Sequence, residues 1–203
     1  MLVSALKQSS PGRFKIILEN GEEIRSTLSA ITDCRLYAGK DLDAEALEQV
    51  RHCSMQAISR ETALQMVSRR QMSQKELRDK LLHKGADEET AEYCAQWLTE
   101  RGFINDENYS KAIVRHYAAK GYGKSRIKGE LIKRGIDRDL IEYALEEMPQ
   151  QDEKIIKYIS ARLKNPNDRD EVKKLSAALY RRGYSFQEIR RAFESLDAEI
   201  EEY

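Results

Sequence analysis

No stretch of this chain is long and apolar enough to span a membrane, and the apolar run from Met1 to Leu6 is too short to be a secretory signal. Proline is scarce, three in 203 residues, so little interrupts helices. Three cysteines, Cys34, Cys53 and Cys94, are odd in number and lack metal-like spacing. They suit small, buried side chains in a reduced, cytosolic compartment. His52, His83 and His116 are scattered. His52 adjoins Cys53, but neighbours on a helix point apart and cannot chelate one ion. No nucleophile has a base and an orienting partner in recognisable context, so neither an enzyme nor a bound cofactor or metal is expected.

What is present is a phrase used three times. Leu77 and Leu81 lead to Lys84-Gly85 and Asp87; Ile127 and Leu131 lead to Arg134-Gly135 and Asp137; Leu175 and Leu179 lead to Arg182-Gly183 and Ser185. The apolar pairs stand four apart, on one helix face. Each glycine fits the left-handed position that closes a helix, and the basic residue before it suits the negative end of the helix dipole. Two residues on, Asp87, Asp137 or Ser185 can cap a second helix. Ser73 with Glu76, and Ser185 with Glu188, form capping boxes. After the caps come Ala91, Ile141 and Ile189 at equivalent places.

A further helix precedes each pair. One runs up to about Gln71 through Leu64 and Val67; one follows Asp106 through Tyr109, Ile113, Val114 and Tyr117 to Gly121; one follows Asp152 through Ile155, Ile156, Ile159 and Leu163, stopping before Pro166. Three-helix units of this kind bury little alone and must stack. The front end differs. Phe14 to Leu18 and Glu22 to Leu28 read as two strands around an Asn20-Gly21 turn. Residues 29–41 read as a connector into a helix from Asp43 through Leu47, Val50 and Ile58.

The chain is therefore expected to be mainly α, with tandem three-helix repeats behind a small N-terminal β-hairpin. The reading divides it into residues 1–42 for the hairpin and connector, 43–104 for a first repeat with an extended first helix, 105–149 for a basic second repeat, and 150–203 for a third repeat with an acidic tail.

Net charge is zero, yet charge is segregated. Residues 109–136 carry Lys111, Arg115, Lys120, Lys124, Arg126, Lys128, Lys133 and Arg134 against Glu130 alone, a balance of +7. Residues 137–153 carry a balance of −6. Such a pattern is either a basic face for a polyanion or acidic partner, or a solvated surface with internal pairing. Tyr109, Tyr117 and Tyr122 lie within the basic block.

Two motifs fail on inspection. Gly123-Lys124-Ser125 ends like a phosphate-binding loop, but Ala118 stands where the earlier glycine is needed, and a helix precedes it instead of a strand. Gly121 and Gly123 are better read as ending one helix and permitting a tight turn, with Ser125 near the next helix start. The helix pairs could be DNA-reading helix-turn-helix units, but their second helices open with Asp87-Glu88-Glu89 and Asp137-Arg138-Asp139, which repel phosphate.

Taken in order, Arg69-Arg70-Gln71-Met72-Ser73, Lys84-Gly85, Gly102-Phe103-Ile104-Asn105-Asp106-Glu107, Gly121-Tyr122-Gly123-Lys124-Ser125-Arg126-Ile127 and Arg134-Gly135-Ile136 resemble the RecX family, bacterial regulators of the RecA recombinase. The resemblance covers the whole chain and is loosest in the third unit. Asn105 stands where the family often has an acid. The resemblance implies a curved, modular array that binds the RecA–single-stranded DNA filament. It also implies suppression of filament growth, ATP hydrolysis, strand exchange and repressor cleavage, with no catalytic residue or cofactor. Direct DNA binding is a further implication. The expected contact set is Lys111, Arg115, Lys120, Tyr122, Lys124, Arg126, Lys128, Lys133 and Arg134, with Arg69, Arg70 and Lys75 as a secondary group. A cytoplasmic monomer is expected.

Overall fold

A computed structural model of the chain describes residues 1–165 and 168–201. The described residues form two compact units, Met1–Ile104 and a second from Asn105 onward.

The first unit begins with an antiparallel sheet of three strands, β1 (Val3–Ser10), β2 (Arg13–Leu18) and β3 (Glu23–Thr27), in that order. The expected hairpin is β2 and β3, with Ile16 opposite Ile24 across the Asn20-Gly21 turn, where Gly21 takes φ +84°. The additional strand β1 corrects the two-strand reading. It lies at the sheet edge, is bulged twice, and buries only Val3 fully, so it shows no clean alternation of apolar and polar residues. A third strand also answers the marginal stability of an isolated hairpin. Val3, Ile16, Leu18 and Ile24 make one core with Leu42 and Val50, and a buried hydrogen bond of 2.9 Å links Ser26 to Ser54.

The supposed connector contains a short helix, α1 (Leu28–Asp33), capped by Thr27. Helix α2 (Ala44–Arg69) is a single run of 26 residues. Its first half backs the sheet, and its second half joins α3 (Gln74–His83) and α4 (Glu88–Glu100) around Ala63, Leu77, Leu81, Ala91 and Leu98, all nearly inaccessible to solvent.

The second unit holds two further three-helix groups. Helices α5 (Asp106–Ala119), α6 (Lys124–Lys133) and α7 (Arg138–Glu146) enclose Val114, Ile127, Leu131, Ile141 and Leu145. Helices α8 (Asp152–Ser160), α9 (Arg169–Arg181) and α10 (Phe186–Glu201) enclose Ile155, Ile159, Leu175, Leu179 and Ile189. Helix α8 stops earlier than the apolar spacing suggests: Ala161 caps it, and Leu163 packs on the core from beyond its end. Pro166, the expected stop, lies outside the described residues, as do Glu202 and Tyr203 of the acidic tail.

Local chemistry sets each helix pair. Gly85, Gly135 and Gly183 take φ of +93°, +68° and +92°, closing α3, α6 and α9. Asp87 accepts from the Thr90 amide at 2.7 Å, and Asp137 from the Asp139 amide at 2.9 Å. Both capping boxes form: Ser73 with Glu76, and Ser185 with Glu188. Asn105, the departure from the family pattern, caps α5 by accepting from the Asn108 amide at 2.8 Å. Asparagine serves as well as aspartate in that role.

Candidate functional site

The chain's most distinctive motif lies where the second repeat meets the third. The Gly123 amide donates to the Arg182 carbonyl at 2.9 Å, and the Ser125 amide donates to the Gly183 carbonyl at 3.1 Å. Two glycine turns thus meet backbone to backbone. A Cβ on Gly123 would lie 2.3 Å from the Gly183 oxygen, and one on Gly183 would lie 2.3 Å from the Arg126 nitrogen. Both distances are far inside contact range, so neither position admits a side chain unless the turns separate.

This revises the role of Gly123. Gly121, at φ +75°, ends α5 as expected. Gly123 has φ −82°, which any residue adopts. Its glycine is required by the neighbouring turn and not by its own backbone. The amides of Tyr122, Gly123 and Ser125, which a phosphate loop would use, already donate to carbonyls.

The predicted contact residues lie on α5, on α6 and in the turns that follow them, and the structure sorts them. Lys111 is mostly buried under two carboxylates, Glu147 at 3.0 Å and Glu107 at 3.1 Å, and sits 4.3 Å from the Tyr143 ring centre. Those two hydrogen-bonded carboxylates hold its ammonium well above the usual lysine pKa. Lys128 pairs with Glu142. Glu130, only 12% exposed, gathers Arg134 at 2.9 Å, Arg126 at 3.4 Å and Lys133 at 3.6 Å. The Arg134 hydrogen bond, more than any other contact, depresses the Glu130 pKa. Burial works against the Arg134 charge, but hydrogen bonds to Glu130, Tyr109 and Tyr117 outweigh it and raise that pKa.

The +7 block is therefore not a bare basic face. Five of its eight cations meet carboxylates, two of these coming from the acidic segment that follows in sequence. Packing α5 and α6 against α7 folds one charge run onto the other. Arg126 and Lys133 remain half or more exposed and keep donors for other partners. Arg115, Lys120 and Lys124 are exposed and have no carboxylate partner among the described residues. Tyr122 is half-buried against the second-repeat core, 5.6 Å from the Tyr117 ring, with the Arg182 guanidinium 5.6 Å from its own ring centre.

The secondary group lies in the first unit. Arg70 pairs with Glu76 at 3.3 Å, Lys75 pairs with Asp79 at 2.8 Å, and Arg69 is exposed.

Cations outside the predicted set join the junction. Lys154 reaches the Ala118 carbonyl at 2.7 Å, and Arg182 reaches the Gly121 carbonyl at 3.3 Å. With Lys120, Lys157 and Arg162 they surround one cavity between α5, α8 and the end of α9. Sequence reasoning passed over them because Asp152-Glu153-Lys154-Ile155-Ile156-Lys157 reads as mixed charge. The signal was the helical stripe Lys154, Lys157, Tyr158 and Ala161, which leaves the acids at the helix start. Among the described residues, no group of His, Cys, Asp and Glu is placed to hold a metal ion, and no helix is long and apolar enough to cross a membrane.

The same three-helix domains occur in known proteins. Models described as the first, second and third three-helix domains of RecX match residues 60–98, 105–145 and 157–193. A "Regulatory protein RecX" from Vibrio vulnificus is 33% identical over 136 residues, covering 66% of this chain and 89% of that protein. Another, from Caldanaerobacter subterraneus subsp. tengcongensis, is 26% identical over 194 residues, covering 95% of this chain and 98% of that protein. A crystal structure titled regulatory protein RecX shares the fold, with TM-score 0.73 at 23% identity, covering 95% of this chain and 98% of the other. Three consecutive domain matches and a relative at 33% identity, covered over most of its length, establish that the chain belongs to the RecX family of regulatory proteins.

Proposed function

We propose that this chain is a non-enzymatic regulator that binds the RecA–single-stranded DNA filament and restrains its recombinase, ATPase and coprotease activities, acting as a cytoplasmic monomer in DNA repair and recombination. The observation that carries this reading is RecX family membership, with a relative matched along 95% of the chain. Two features support it. Serial three-helix repeats can engage successive filament subunits, so weak contacts act together at high effective concentration. Arg115, Lys120 and Lys124 offer exposed charge with no carboxylate partner among the described residues.

The test is RecA-driven ATP hydrolysis on single-stranded DNA. The wild-type chain lowers the rate as it is titrated in; an unchanged rate sinks the function. A folded Arg115→Glu, Lys124→Glu variant is expected to need at least about tenfold more protein, equivalent to about 1.4 kcal/mol of binding. Equal potency would sink the contact assignment alone.

A second reading is a protein that competes for single strands without RecA, favoured by the same unpaired cations. It predicts affinity for DNA alone, with a salt slope of about −0.7 per phosphate neutralised. Negligible DNA affinity at physiological salt with persistent RecA inhibition removes it.

A further inference from the structure

The cavity at the junction of the second and third repeats has a volume of about 370 Å³. Five of the residues that line it, Lys120, Lys154, Lys157, Arg162 and Arg182, are basic, and no carboxylate does so. None of the five forms an ion pair among the described residues, whereas most cations of the neighbouring second repeat do. Two guanidinium groups crowd one ring: Arg162 lies 4.1 Å and Arg182 4.8 Å from the Tyr158 ring centre. Like charges gathered without an acid repel each other, and an anion in the cavity relieves that repulsion.

Helix capping accounts for part of this cluster. Lys154, Arg162 and Arg182 each give one hydrogen bond to a carbonyl near the end of α5 or α8, where a cation is favourable. An ammonium has three donors and a guanidinium five, so most of their donors are left over. Lys157 is exposed and has neither a carbonyl nor a carboxylate partner among the described residues.

We propose that this cavity is a phosphate-binding site that takes one phosphodiester unit of a single-stranded nucleic acid. Guanidinium forks match the paired oxygens of a phosphate, and the lysines add point charges around it. The volume is at the small end of ligand sites and leaves room for a phosphate and the groups attached to it. The choice of nucleic acid as the phosphate source rests on the nucleoprotein reading above; the site itself rests on the cavity.

The test uses the full-length chain, a fluorescently labelled oligothymidylate and no RecA, so its failure leaves the RecA reading standing. Lys157→Glu is compared with Lys173→Glu, the same charge reversal at an exposed position of α9 outside the cavity. Arg162→Gln serves as the milder second variant, and thermal melting confirms that all three fold. The expected result is affinity weakened about tenfold or more in Lys157→Glu, less in Arg162→Gln and little in Lys173→Glu. The salt slope should become shallower by about 0.7 for each phosphate that is no longer neutralised. Equal losses at positions 157 and 173, or no loss at either, overturn the site. ATP or inorganic phosphate binding that depends on Lys157, with oligothymidylate binding that does not, overturns the nucleic-acid assignment. In a separate assay with RecA added, loss of RecA inhibition in Lys157→Glu beside intact oligothymidylate affinity overturns it too, in favour of an acidic protein partner.

Discussion

Replacing Gly123 with alanine isolates the junction between the second and third repeats. The backbone there has φ −82°, so alanine adds no conformational strain. The whole cost falls on the contact, where the new methyl would lie 2.3 Å from the Gly183 oxygen, 2.4 Å from its carbonyl carbon and 2.6 Å from the Tyr184 nitrogen. These are backbone atoms and cannot swing aside. Overpacking of this kind costs about 1–3 kcal/mol. Separating the turns also sacrifices the hydrogen bonds from Gly123 and Ser125, each contributing about 0.5–1.5 kcal/mol. The expected loss is on the order of 2–5 kcal/mol, a large share of a typical domain's stability. Two other glycines set the scale. Gly85→Ala has open space but φ +93°, so it carries only the left-handed strain of about 1–2 kcal/mol. Gly129→Ala sits inside α6 with nothing within 4 Å and should stabilise by about 0.5–1 kcal/mol. Urea unfolding followed by circular dichroism gives the three midpoints, and tryptic digestion shows whether α8 to α10 become cleavable. If Gly123→Ala is no worse than Gly85→Ala, the turns do not bear on each other as described.

The other predictions concern charge and burial. Glu130 has a depressed pKa in the folded chain, so its contribution is present above the unfolded value of about 4.3 and fades as pH falls through the folded one. Glu130→Gln should therefore lose on the order of 1–2 kcal/mol at pH 7 by urea unfolding, and the gap from wild type should close toward pH 3; a gap that persists at pH 3 refutes the ion-pair account. Burial pushes the thiols of Cys34 and Cys94 up to about 11, with the Cys53 thiol a further cause at Cys34. At pH 8 about one in a thousand of either is thiolate. Mass spectrometry after iodoacetamide treatment should find both slow to alkylate until urea is added, and rapid labelling of Cys94 in the folded chain would contradict its buried place.

Local rules made the helix pairs legible. Leu77, Leu81, Ile127, Leu131, Leu175 and Leu179 are buried, their glycines are left-handed, and their Asp and Ser caps are made, because each depends on residues within a few positions. Strand β1 was not legible, since an edge strand with one fully buried residue has no periodic signature. The need for glycine at 123 could not be read either, because it arises from a turn 60 residues away. The ion pairing within the basic block was not legible for the same reason. Sequence order separates Lys111 from Glu147 and Lys128 from Glu142, while the α5–α7 packing joins them. The cavity cations Lys154, Lys157, Arg162 and Arg182 were hidden among acids that the helix places elsewhere.

The central functional claim is association with a RecA nucleoprotein filament, and co-sedimentation tests it most directly. The chain is mixed with RecA filaments on single-stranded DNA, with RecA alone and with DNA alone, then centrifuged at physiological salt. The account predicts that it enters the pellet with the assembled filament and saturates there. A chain that stays in the supernatant beside intact filaments would contradict it.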